Sequence, residues 1–339
     1  MRRIVTLGLL VGALAVGAQL VRRRRLIAAA APELRSWQLF LPIGLVDRRS
    51  LPVGRRFLDR PTACAPGVTC REVDVVSAGG RRVRTLIYDV AARRRPSGAV
   101  LWIHGGGYVM GIAEMSNDWC SRMARELDVL VANVDYRLAP EHPFPAGLDD
   151  CYAVLEWLHR EAEALGVDPA RIAVAGASAG GGMAAALAQM AHDRGGPPVC
   201  FQLLEYPMLD DRSGRTDAPV DTLVWNRRSN AYAWGAYLTA DTADAAEQRW
   251  AVPARRADLS GLPPAWVGVG DIDLFHGEDV EYARRLREAG VACELHVEPG
   301  MYHAADVLAP DSAAMRAFTA QMIDALRRGL AGTPAAGAG

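Results

Sequence analysis

The pentapeptide Gly176-Ala177-Ser178-Ala179-Gly180 constrains this chain more than any other stretch. It joins an apolar run, Arg171-Ile-Ala-Val-Ala175, to a helix of small residues running from Gly181 to about His192. A strand that reverses so abruptly into a helix forces strained dihedrals on the middle residue, and small neighbours relieve the crowding. With Gly176 and Gly180 on either side, the Ser178 hydroxyl is expected at the carboxyl end of a sheet, at the positive end of the following helix. A serine so placed is a candidate nucleophile. The competing reading is an ordinary helix start rich in small residues.

A second stretch weighs against the ordinary reading. Gly98-Ala-Val-Leu-Trp-Ile103 reads as a buried strand and ends in His104-Gly105-Gly106-Gly107. Three glycines after a strand let the backbone approach a ligand and turn its N–H groups toward an oxyanion. With G-x-S-x-G following, the two stretches supply both halves of an acyl-transfer site. On these motifs the chain resembles the hormone-sensitive-lipase-like branch of the α/β-hydrolases, from about Arg71 to Ala325. That resemblance implies a carboxylic ester or lipid substrate of short to medium acyl chain. It also implies an N-terminal helical segment that helps to cap the site.

The remaining pattern agrees with an α/β fold. Arg71–Val76 and Val83–Tyr88, separated by Gly79-Gly80, read as an antiparallel hairpin. Strands then alternate with helices: Ala99–Ile103, Val129–Val134, Ile172–Ala175, Val199–Leu204, Ala265–Val269 and Val291–Val297, with helices near 117–127, 148–164, 179–193, 277–289 and 311–329. Eight strands in this order predict a mostly parallel sheet with helices on both faces. The expected division is an apolar segment over 1–25, cap or linker helices over 26–66, and a catalytic domain over 67–330. An aromatic-rich insertion breaks the alternation at about 208–250, and a disordered tail is expected over 331–339. In Asp135–Ala146, Arg137 and Glu141 read as a buried ion pair or backbone tie.

A serine hydroxyl needs a base, and the base needs an orienting acid. Of seven histidines, His104 belongs to the glycine loop, and of the other six only His303 follows a strand end, in the loop Glu298-Pro-Gly-Met-Tyr-His303; the family has its histidine in a matching loop. The acid should follow the preceding strand, where Gly268-Val-Gly-Asp271-Ile-Asp273-Leu-Phe offers two carboxylates. Asp273 aligns with the family's acid, and Asp271 is its rival. Glu278 and Asp279 read as first-turn helix charges. The expected set is therefore Ser178, His303 and Asp273, with the N–H groups of Gly106, Gly107 and Ala179 as oxyanion donors. Such chemistry requires neither a metal nor an organic cofactor. An amidase or N-deacylase with the same triad, and a non-catalytic binding protein on this fold, are the competing readings.

Charge and cysteine usage narrow the partners. A net charge of −1 argues against a nucleic-acid binder. All 38 basic residues are arginine, so Arg93-Arg94-Arg95 reads as a solvated turn rather than a binding patch. The six cysteines lack metal-ligand spacing and read as free thiols, with only Cys64 and Cys70 near enough in sequence for a local disulfide. Ile4–Val21 has no charge and is followed by Arg22–Arg25. A spanning helix with this flank would anchor the catalytic domain on the cytoplasmic side of a membrane. The alternative is a helix packed on the protein's own surface or lying on a membrane, and a cytoplasmic, soluble enzyme in the first case.

Overall fold

The computed structural model describes residues 21–41, 46–214, 222–238 and 248–332. Apart from Val21, the apolar segment Ile4–Val21 lies outside the described residues, as do 215–221 and 239–247 of the insertion and 333–339 of the tail. Among the described residues no helix is long and apolar enough to cross a membrane.

Eight strands form one sheet: β1 (Val68–Val76), β2 (Arg82–Val90), β3 (Ser97–Ile103), β4 (Leu130–Val134), β5 (Val167–Ala177), β6 (Phe201–Glu205), β7 (Ala265–Gly270) and β8 (Cys293–Glu298). Their spatial order is β1-β2-β4-β3-β5-β6-β7-β8. The β1–β2 and β2–β4 pairs are antiparallel and all others are parallel. The central strands are covered on both faces, so they read as continuous apolar runs. Their side chains alternate between two cores. Leu101, Ile103, Ile172 and Val174 pack with the helices Ala146–Arg160, Ala179–Asp193 and His276–Glu288. Val100, Trp102, Ala173 and Ala175 pack on the other face with the helices Asn117–Leu127 and Ala313–Leu330.

Several local readings change once tertiary contacts are in view. The helix expected near 148–164 ends at Arg160, and the short turn Ala162–Leu165 after it closes on Gly166, whose φ of +62° suits a left-handed cap. Arg137 does not pair with Glu141. Its Nε and Nη2 lie 2.7 and 2.8 Å from the two oxygens of buried Asp150, and Nη2 also donates to the Ala146 carbonyl at 2.9 Å. Glu141 instead meets Arg55 at 2.6 Å, and Arg55 Nε donates to the Val109 carbonyl at 2.8 Å. This pair ties the helix Leu51–Leu58 to the chain just after the triglycine stretch.

Arg93 likewise departs from a solvated turn. It is buried, 2.6 Å from Asp89, and it donates to the carbonyls of Leu165 and Gly166 at 2.7 and 2.9 Å. Arg94, in contrast, is exposed beside Asp128. Cys64 and Cys70 are joined in a disulfide, whereas Cys120, Cys151, Cys200 and Cys293 are free. Cys200 sits just before β6 rather than in it.

Candidate active site

The site lies at the carboxyl ends of β3, β5, β7 and β8. Parallel strands all point this way here, so loops from distant parts of the sequence converge. At the end of β5, Ser178 adopts φ +56° and ψ −120° before the helix Ala179–Asp193. A Cβ on Gly180 would lie 2.0 Å from the Ile103 carbonyl oxygen, and one on Gly176 would lie 2.4 Å from the Gly180 carbonyl oxygen. No larger residue fits at either position without backbone movement, which is the physical reason for both glycines. The Ser178 backbone is spent on the scaffold: its N–H donates to Glu205 O at 2.8 Å, and its carbonyl accepts from Gly182 and Met208 at 2.9 Å each. The hydroxyl is left to face the other two side chains.

His303 arrives on the loop after β8. Gly300 turns that loop at φ +66°, with its α-carbon pressed on Ala31, and its N–H donates to Asp271 Oδ1 at 2.6 Å. The imidazole is buried, with its ring center 4.8 Å from Tyr206 and 5.2 Å from Phe275, both edge-on. Its Nε2 lies 3.0 Å from Ser178 Oγ and its Nδ1 lies 2.8 Å from Asp273 Oδ2. The other oxygen of Asp273 accepts from Phe275 N–H at 3.0 Å, which fixes the carboxylate plane. Asp271 contacts the loop and not the imidazole, so the structure brings Asp273, rather than its rival, to His303.

The triglycine loop folds back over the end of β5. Gly106 takes φ +126°, where a Cβ would lie 1.9 Å from the Met110 carbonyl oxygen, and Gly107 takes φ +61°. Among the described residues, the N–H groups of Gly106, Gly107 and Ala179 donate to no carbonyl or side chain. An oxyanion beside Ser178 would be a partner for such donors, aided by the amino end of the following helix. His104 does not reach this space. It is buried, stacked 4.4 Å from Tyr136, with Nδ1 2.8 Å from the Gly105 carbonyl.

Backbone strain concentrates here. Among the described residues, six that are not glycine have positive φ: Tyr108, Ser178, Tyr206, Val224 and Ala304, which all border the site, and Asp128, which does not. Each costs free energy, about 1–3 kcal/mol, that the surrounding packing must offset.

Sequence reasoning missed the rings around His303 and the burial of Glu205, Glu278 and Asp279. Tyr206 directly follows β6, between the strands that carry Ser178 and Asp273, and that strand-end position was its available signal. Its hydroxyl donates to Asp306 Oδ1 at 2.8 Å. Burial holds the carboxyls of Asp306 and Glu205 above their ordinary range. Glu278 and Asp279 lie in the first turn of the helix His276–Glu288, as expected, but both are buried. The loop after β6 meets Glu278, which accepts from Leu209 and Asp210 N–H at 2.6 and 3.2 Å.

Burial lifts Glu278 from its ordinary 4.5 to about 8, despite donors from Ser213, Leu209 and Asp210 that favour the charged form. Asp279 is raised well above 3.8 by burial and then by its neighbours Glu278 and Asp273. Between pH 4.5 and 8 the folded chain therefore keeps a proton on Glu278 that the unfolded chain has released. Stability should fall as pH rises through that window. Urea denaturation at pH 5 and pH 8 checks this: Glu278→Gln is expected to lose less stability between the two than the parent. An equal loss in both would contradict it.

A family model of the α/β-hydrolase fold matches residues 100–306. Carboxylesterase NlhH of Mycobacterium tuberculosis is 38% identical over 255 residues, covering 73% of this chain and 79% of that protein. Ethyl acetate hydrolase of Pseudomonas putida is 37% identical over 217 residues, 60% of this chain and 65% of its own. Among solved structures, a bacterial heroin esterase superposes with a TM-score of 0.83 at 39% identity, over 90% of this chain and 99% of that one.

Proposed function

The chain belongs to the α/β-hydrolase-fold family, in its hormone-sensitive-lipase-like branch, and on that premise we propose that Ser178, His303 and Asp273 act together on a carboxylic ester. The chain is a carboxylesterase-type serine hydrolase. Ser178 Oγ attacks the ester carbonyl while His303 Nε2 takes its proton, and Asp273 holds the imidazole tautomer and stabilises its cation. The N–H groups of Gly106, Gly107 and Ala179 receive the oxygen of the tetrahedral intermediate, each such donor contributing about 3–4 kcal/mol in a well-measured case. The protonated His303 then delivers its proton to the leaving alcohol. An acyl-Ser178 ester remains, and water activated by the same imidazole releases the acid.

One observation carries the assignment of roles: the unbroken run from Asp273 Oδ2 to His303 Nδ1 at 2.8 Å and from His303 Nε2 to Ser178 Oγ at 3.0 Å. The described residues of the segment 26–66 and of the insertion at about 208–250 belong to the cap. In support, Tyr302 donates to Leu34 O at 2.9 Å, Val46 N–H donates to Ser229 Oγ at 2.9 Å, and Arg228 meets Asp47 at 2.7 Å. These ties link the N-terminal segment to the histidine loop and to the inserted helix Arg227–Tyr237.

A cap built this closely on the site favours short to medium acyl chains. Turnover of p-nitrophenyl esters from acetate to palmitate tests this, alongside an anilide of the best acyl group. The expected result is a maximum among the short chains and ester turnover far above that of the anilide. A maximum at palmitate would remove the chain-length reading, and comparable anilide turnover would favour an amidase.

A further inference from the structure

Trp225 stands between two parts of the site that the reaction must bring together. A Cβ on Gly107 would lie 2.4 and 2.9 Å from Cη2 and Cζ2 of Trp225, so the benzo edge of the indole rests on the Gly107 backbone. The same ring lies 6.3 Å from the His303 imidazole, tilted by 40°. It therefore bridges an oxyanion donor and the general base.

The indole is held rather than loosely draped. It is buried and its Nε1 donates to Asn230 Oδ1 at 3.2 Å, while the main-chain carbonyl of Trp225 accepts from Thr222 Oγ1 at 2.6 Å. Asn230 is fixed in turn by donating to Ser213 O at 2.9 Å. The preceding Val224 takes φ +64°, a region that β-branched residues rarely occupy. Strain of this kind persists only where surrounding contacts impose it, and it favours a defined wall over a mobile lid.

Of the two groups on a bound ester, only the alkoxy group must lie against the imidazole, because His303 Nε2 hands its proton to that oxygen. A ring spanning Gly107 and His303 borders the space into which this group extends. We infer that Trp225 is a specificity-determining residue that limits the bulk of the ester's alcohol. This rests on the roles given above to Ser178, His303 and Gly107, and it adds the side of the substrate that is selected.

The test measures kcat/KM in two series, acetates of ethanol, isopropanol and cyclohexanol, and ethyl esters from acetate to octanoate, for the parent, Trp225→Ala and Trp225→Phe. The Ala variant is expected to raise the cyclohexyl-to-ethyl ratio about tenfold or more. Trp225→Phe, which keeps a smaller ring on Gly107, should raise it less. The octanoate-to-acetate ratio should stay within about twofold in both, because the alkoxy group, and not the acyl chain, is the one that the reaction sets against His303. If Trp225→Ala fails to fold, a rise confined to the alcohol series in Trp225→Phe supports the assignment. An unmoved alcohol ratio, or an acyl ratio that moves as much, would overturn it. A parent inactive on every ester would instead fault the hydrolase reading on which it stands.

Discussion

Ser178→Ala should lower kcat on a short-chain ester by about five to six orders of magnitude, as expected when the nucleophile of a triad is removed. The variant should still fold. Alanine keeps the Cβ that already sits at φ +56°, so the strain of the turn is unchanged, and the Ser178 N–H and carbonyl keep their bonds to Glu205, Gly182 and Met208. What disappears is the hydroxyl 3.0 Å from His303 Nε2. Any residual rate would come from the oxyanion donors and from substrate positioning alone. Thermal melts and single-turnover kinetics on the same preparation check both halves. Residual activity above about 1% of the parent would point to a different nucleophile.

Asp273→Asn is expected to cost about four orders of magnitude in kcat, whereas Asp271→Asn should stay within about tenfold of the parent. The two substitutions are chemically identical and lie two residues apart, so the contrast isolates geometry. Asp273 Oδ2 accepts from His303 Nδ1 at 2.8 Å, and an amide in its place can offer N–H to the imidazole and favour the wrong tautomer. Asp271 Oδ1 accepts a backbone N–H, from Gly300 at 2.6 Å, and the asparagine oxygen can replace it. Steady-state rates of both variants on one ester decide the matter. The reverse ranking would make Asp271 the orienting acid.

These expectations separate what local sequence encodes from what it does not. The eight strands, their mostly parallel character and the turn at Ser178 were legible because apolar runs, glycines and helix starts act over a few residues. So were the strand ends that carry His303 and Asp273, since a fold of this topology gathers its strand ends on one side. Pairings across the chain were not. Arg137 reaches Asp150 on the next helix rather than the nearer Glu141, and Glu141 goes to Arg55 in the N-terminal segment.

Glu278 and Asp279 follow the local rule for acidic first-turn residues, yet both are buried, and no periodicity in that helix foretells it. Trp225 was visible only as one of several aromatics in the insertion. Its position on Gly107 depends on a backbone turn at Val224 that a β-branched residue would not suggest. The strand ends that hold these side chains are thus written locally, and their surroundings are set by long-range packing.

The central claim is that Ser178 is activated by His303 in a continuous proton-transfer path to Asp273. The direct measurement is the rate at which a fluorophosphonate probe modifies the purified protein, followed by intact mass and peptide mapping. The account predicts one adduct, on the peptide carrying Ser178, absent from Ser178→Ala and formed far more slowly in His303→Ala. Modification elsewhere, or an undiminished rate in His303→Ala, would contradict it.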